Sequence, residues 1–185
     1  MKLLLATLLL TGCVQGKAVE SKDYTHRIEL VTGGVCSATA VGSRTLLTAA
    51  HCVTTKPKVL VIDGTAAGVL DITLDGKDHA LVSVTITFDH VAKVAATPKQ
   101  GARVHWYGQP MGLEQVYGEG IVVGHKDDRY LIDGSQIWFG SSGAGLLNDQ
   151  GQVVGVISGF VAKDQFKLGW AWPLAFTAEQ LGAIK

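Results

Sequence analysis

Three stretches of this 185-residue chain carry side chains that can do chemistry together. The last is Trp138-Phe139-Gly140-Ser141-Ser142-Gly143-Ala144-Gly145-Leu146-Leu147, a small-residue turn with two serines at its centre. A serine hydroxyl is a poor nucleophile at its free pKa and needs a base and a pre-formed oxyanion site. The glycines let the backbone turn sharply and aim amide N–H groups at one point. Gly/Ser runs also make plain turns, so the reading depends on what stands upstream. Thr45-Leu46-Leu47-Thr48-Ala49-Ala50-His51-Cys52 puts a histidine at the end of an apolar strand. Lys77-Asp78-His79-Ala80-Leu81-Val82-Ser83-Val84 puts an aspartate at the mouth of another. In the order His, Asp, Ser, a hydroxyl can attack a carbonyl, an imidazole can move the proton, and a carboxylate can orient the imidazole.

Other residues compete for these roles. Asp71 precedes Ile-Thr-Leu and could cap a strand, and Asp75-Gly76 reads as a turn. Ser141 competes with Ser142. His79, His90, His105 and His125 read as surface or strand histidines. No His/Cys/Asp spacing fits a metal site, so neither a metal nor any other cofactor is expected.

The elements that must position these groups are strands. Hydrophobic residues make up 47% of the chain, enough for a sizeable core. The 16 basic and 16 acidic residues cancel, which argues against a nucleic-acid partner. Short runs rich in Val, Ile, Leu and Thr cover 26–31, 35–41, 45–49, 58–62, 70–74, 81–87, 103–107, 116–123, 130–132 and 152–158. Gly, Pro and Asp punctuate them, which predicts an all-β sandwich or a pair of barrels. Pro98, Lys99 and Gln100 break the apolar pattern and mark a linker. Thr177 with Gln180 fits a capping box that opens a short terminal helix through Ile184.

Residues 1–12 read as a targeting segment. Lys2 is a positive start, and the apolar run 3–10 is too short to span a bilayer. Leu10-Thr11-Gly12-Cys13 resembles a bacterial lipobox. That implies cleavage before Cys13, lipidation of Cys13 and anchoring to the cell envelope. An ordinary signal peptide with an incidental cysteine is the alternative. Val14 leaves outer-membrane sorting, facing the periplasm, as the default. Residues 14–25 are polar and aperiodic and read as a tether, with the domain from 26 to 185. Three cysteines leave one over in an exported chain.

Taken together, Thr-Ala-Ala-His51-Cys52, Asp78-x-Ala-Leu and Gly140-x-Ser142-Gly resemble the trypsin-like (chymotrypsin-fold) serine peptidases. The compact bacterial HtrA-like branch, here without a PDZ domain, is the nearest in pattern. Tyr107-Gly108-Gln109-Pro110-Met111-Gly112-Leu113 is similar to a loop of that branch. Gly169-Trp170-Ala171-Trp172-Pro173-Leu174 resembles the strand that lines its specificity pocket. The resemblance covers roughly residues 33 to 176. It implies two six-stranded antiparallel β-barrels, about 26–95 and 101–176, with a short C-terminal helix. It also implies roles: Ser142 attacks, His51 carries the proton, Asp78 orients the ring, and the N–H groups of Gly140 and Ser142 bind the oxyanion. The family pattern favours Asp78 over Asp71 and Asp75, and Ser142 over Ser141. Cys36 and Cys52 match a family disulfide. Gln136 falls at the pocket floor by alignment, with Ser158, Gly159 and Phe160 as the wall.

The implied activity is hydrolysis of protein or peptide substrates through an acyl-enzyme. The absence of an aspartate at the floor implies a small or medium uncharged side chain in the pocket. Ser141 stands where zymogen-activated relatives carry aspartate, and no Ile-Val-Gly-Gly start is present. The site is therefore expected to form without activation cleavage. Ala144 and Gly145 replace the family's usual Gly and Pro, and alanine prefers negative φ. That keeps open a weak or inactive peptidase-fold lipoprotein that binds proteins. An unrelated β-barrel lipoprotein with fortuitous motifs is the third class. The oligomeric state is not encoded.

Overall fold

The computed structural model describes residues 20–31 and 33–182. The expectations for the targeting segment and Cys13 lie outside the described residues.

Six strands make the first barrel: β1 (Thr25–Glu29), β2 (Val35–Gly42), β3 (Thr45–Ala49), β4 (Val59–Ile62), β5 (Thr65–Leu74) and β6 (His79–Val84). Six more make the second: β7 (Arg103–Gly108), β8 (Val116–Lys126), β9 (Arg129–Asp133), β10 (Gly145–Leu147), β11 (Val153–Lys163) and β12 (Phe166–Trp172). All pair antiparallel, and both barrels close. The winding is the same in each, β1-β2-β3-β6-β5-β4 and then β7-β8-β9-β12-β11-β10.

Alternation explains the strands. On β7, Val104, Trp106 and Gly108 are buried while the residues between them reach outward. The period of two places one face of each strand inside its barrel. The first barrel is filled by Ile28, Leu46, Leu60, Ile62 and Val82, the second by Trp106, Val122, Tyr130, Ile132 and Leu146. β3 departs from alternation and is buried throughout, because it also meets β11 of the second barrel. Asp63-Gly64 joins β4 to β5 with both φ angles positive (48° and 79°), the geometry that two-residue hairpins favour.

Two readings of the sequence are corrected. Residues 21–25 are not tether: Ser21–Tyr24 is a 3-10 turn, Tyr24 is buried in the first core, and β1 begins at Thr25. Residues 145–147, read as part of a turn, form β10, which closes the second barrel through Leu147 and His105.

The chain's end returns to the first barrel. Leu174, Phe176 and Leu181 pack on the first core. The helix α1 (Ala178–Gly182) opens on the expected capping box, with Thr177 N donating to Gln180 Oε1 (2.8 Å) and Gln180 N to Thr177 Oγ1 (3.2 Å). A disulfide joins Cys36 of β2 to Cys52, beside His51. A loop of about 15 residues closed in this way stabilises the fold by about 3 kcal/mol on a chain-entropy argument.

Candidate active site

His51 sits in a 3-10 turn, Ala50–Cys52, at the end of β3. Asp78 stands just before β6, which pairs with β3, so strand pairing alone brings the two together. His51 Nδ1 lies 2.9 Å from Asp78 Oδ2 and 3.1 Å from Oδ1. The His51 amide also donates to Oδ1 (3.1 Å). With Nδ1 turned to the carboxylate, Nε2 is left free to take a proton. Burial pushes the Asp78 carboxyl up. The hydrogen bond from His51, the attraction of its ring, the His51 amide and the Ser158 hydroxyl together outweigh that, and hold the carboxyl below its ordinary value.

Ser142 comes from the second barrel, in the loop before β10. Its carbonyl accepts from the Ser37 amide of β2 (2.7 Å). Ser37 Oγ donates to Gly140 O (2.8 Å), and Gln109 N donates to Ser37 Oγ (3.0 Å). Ser37 O in turn accepts from Thr48 Oγ1 (2.7 Å). One buried serine of the first barrel thus grips the serine loop of the second. Gly143 adopts φ +90°, and a Cβ there would overlap Ser37 O and Thr48 Oγ1. The position after Ser142 therefore admits only glycine without rearrangement.

Ser142 and His51 face one cavity of about 490 Å³. Among the described residues the Ser142 hydroxyl has no hydrogen-bond partner. Bonds between a base and a nucleophile often tighten only when substrate is present. The amides of Ser141, Gly143 and Ala144 donate to backbone carbonyls, whereas among the described residues those of Gly140 and Ser142 have no acceptor. The Phe139 carbonyl accepts from the Met111 amide (2.6 Å). In a trans peptide the next N–H points the opposite way, so the Gly140 N–H is turned away from the 110–112 turn.

The competitors are placed elsewhere. Ser141 is fully buried; its Oγ accepts from Trp138 N (3.2 Å) and donates to Gln136 O (3.4 Å), an internal strut. Asp71 accepts from Thr73 Oγ1 (2.9 Å), and Asp75 pairs with His79. Cys36, Cys52 and His51 lie close together, but the two sulfurs are bonded to each other and offer no thiolate to a metal.

A family model for the trypsin-like peptidase domain matches residues 34–156, well over half of the chain. The chain belongs to the trypsin-like peptidase family. Solved structures share its architecture. The Rv3671c protease of M. tuberculosis in its inactive form, as a serine-to-alanine mutant, gives a TM-score of 0.72 at 20% identity, covering 89% of this chain and 87% of that one. The active form of the same protease gives 0.71 at 21% identity, covering 89% and 82%. At such identity the likeness speaks for the fold. Among curated proteins, none matches this chain.

The pocket of this trypsin-like domain differs in part from the aligned expectation. Ser158, Gly159 and Phe160 line the cavity. Gln136 does not: it is exposed and lines a separate groove with Arg103, His105 and Glu119. The chain turns its next residue inward instead, and fully buried Ile137 lines the cavity with Trp138, Ile157 and Trp170. Trp138 stacks on Phe160, with centroids 4.7 Å apart and planes at 20°. Lys167 Nζ lies 4.5 Å from the Trp138 ring centroid. Ala144 also sits more simply than its sequence position suggested. It is not among the residues with positive φ, and its amide and carbonyl bond Ser141 O (3.0 Å) and Ile157 N (2.9 Å).

Sequence reasoning missed Ser37, Ile137 and Trp138, whereas Trp170, within the stretch read as pocket-lining strand, does line the cavity. Trp138 stood in the serine stretch but was read as flanking apolar sequence.

Proposed function

We propose that the chain is a serine endopeptidase. Ser142 Oγ attacks the scissile carbonyl while His51 Nε2 takes its proton, and the carbonyl oxygen becomes an oxyanion held by the N–H groups of Gly140 and Ser142. His51 then gives the proton to the leaving amine, the C–N bond breaks, and an acyl-Ser142 ester remains. Water, deprotonated by the same imidazole, releases the acid and restores the hydroxyl. Asp78 holds the ring in the Nδ1–H form and stabilises the imidazolium. Each oxyanion donor contributes about 3–4 kcal/mol in the transition state. The observation that carries this reading is the His51–Asp78 pair opening onto the same cavity as Ser142.

A fluorophosphonate probe is expected to label the wild-type chain at Ser142. Failure of the folded protein to react would refute the reading. The cavity lining also supports a substrate preference. Its walls are mainly aliphatic and aromatic, with the hydroxyls of Ser142 and Ser158, and among the described residues His51 is the one titratable group that lines it. Burying an unpaired charge there costs several kcal/mol. Peptides with apolar residues before the scissile bond are therefore expected to exceed those with Arg, Lys, Asp or Glu by about 100-fold or more in kcat/KM. A peptide-library profile that favours a charged residue would overturn this.

The same proposal carries the HtrA-like affinity, supported by the 107–113 loop sequence. It also carries envelope anchoring through Cys13, supported by Leu10-Thr11-Gly12-Cys13.

A further inference from the structure

Asp75 and His79 form a second imidazole–carboxylate pair, and the reaction proposed above does not use it. Both side chains are fully buried, with His79 Nδ1 2.5 Å from Asp75 Oδ2. Asp75 Oδ1 accepts from the amides of Lys77 (3.0 Å) and His79 (3.3 Å). Asp75 Oδ2 also accepts from the Ala175 amide (3.1 Å), from the segment that follows β12. One carboxylate therefore gathers four donors. Three come from its own short loop and one from a segment a hundred residues away.

Asp78 lies inside that loop. Its carbonyl accepts from the Ala50 amide (3.0 Å), and Ala49 pairs with His79 across β3 and β6. The backbone folded around Asp75 is thus the backbone that sets Asp78 against the turn carrying His51. The second ring nitrogen of His79, Nε2, is buried without a partner among the described residues. The Phe176 ring lies 6.3 Å from the imidazole. The ring is therefore held by its Nδ1 contact with Asp75, and no hydrogen bond at Nε2 competes for its orientation among the described residues. Burial pushes the Asp75 carboxyl up, but the His79 bond and attraction, with the Lys77 and Ala175 amides, hold it below its ordinary value.

We propose that the Asp75–His79 pair positions Asp78: it shapes the 75–79 loop so that both Asp78 oxygens stay on His51, and it fastens that loop to the segment leaving the second barrel. This rests on the serine-peptidase reading. Neither residue lines the cavity, so the pair acts on the chemical step and leaves substrate binding alone.

The test uses the full chain with Asp75→Asn, His79→Leu and His79→Asn. Labelling of the wild type by fluorophosphonate comes first, so failure of the parent reading shows separately. Asp75→Asn and His79→Leu are expected to lower kcat, and the rate of fluorophosphonate inactivation with it, by about tenfold or more, while KM stays within about twofold of wild type. Leucine fills the apolar site but donates nothing. Asparagine can donate from near the Nδ1 position, so His79→Asn is expected to recover most of what His79→Leu loses. Circular dichroism checks folding, and the variants that fold decide. Wild-type kcat in Asp75→Asn or His79→Leu would overturn the proposal. So would a His79→Asn rate as low as that of His79→Leu, or no folded variant at all, since the pair would then be a requirement of folding.

Discussion

Replacing Ser142 by alanine is expected to lower kcat by roughly 10⁶-fold while leaving the fold intact. On the proposed mechanism the loss is large because the nucleophile, base and orienting carboxylate act as a unit. What survives comes from oxyanion binding and substrate binding alone. Stability is expected to hold because the loop is fixed by its backbone. The Ser142 carbonyl bonds Ser37, Gly143 N donates to Ile157 O (2.8 Å), and the hydroxyl itself bonds nothing among the described residues. Hydrolysis of an apolar fluorogenic peptide and a thermal melt read the two halves of this expectation. Turnover within tenfold of wild type would remove Ser142 from the mechanism. Label still attached to the alanine variant would point to Ser141 or another hydroxyl.

Changing Asp78 to asparagine is expected to lower kcat by about 10⁴-fold at neutral pH with little change in KM. The asparagine nitrogen would donate where a carboxylate accepts. The ring then moves its proton to Nε2, and the base facing Ser142 is lost. A variant that keeps a tenth of the wild-type rate would show that Asp78 does not orient His51. The acid range gives a second readout. The Asp78 carboxyl is held below its ordinary value of 3.8. A depressed carboxyl contributes stability above the unfolded pKa and loses it as pH falls through the folded one. Wild type should therefore lose more stability than the variant between about pH 4 and the lowered native value.

Much of this was legible in the sequence, for local reasons. Strands announced themselves as short runs of Val, Ile, Leu and Thr punctuated by Gly, Pro and Asp, and the run 45–49 became β3 with the same bounds. The Cys36–Cys52 bridge followed from the family resemblance. What stayed hidden was set by distant contacts. Asp75-Gly76 does make a turn, but the role of Asp75 depends on the Ala175 amide. Ser37 could not be singled out because its partner Gly140 lies 103 residues away. β10 escaped because three residues with a leading glycine show no period. Gln136 was misplaced because counting back from the serine assumed the backbone path of relatives, whereas here Ile137 turns inward. Ala144 looked suspect only until Gly143, its neighbour, proved to carry the unusual φ.

The grip of Ser37 reaches beyond geometry. Its amide, hydroxyl and carbonyl are committed to the serine loop, to Gln109 and to Thr48, so β2 belongs to both halves at once. Heat cannot melt one half and spare the other without tearing this seam. Unfolding should appear as a single cooperative endotherm, and a half-melted molecule would retain a barrel but no hydrolytic power.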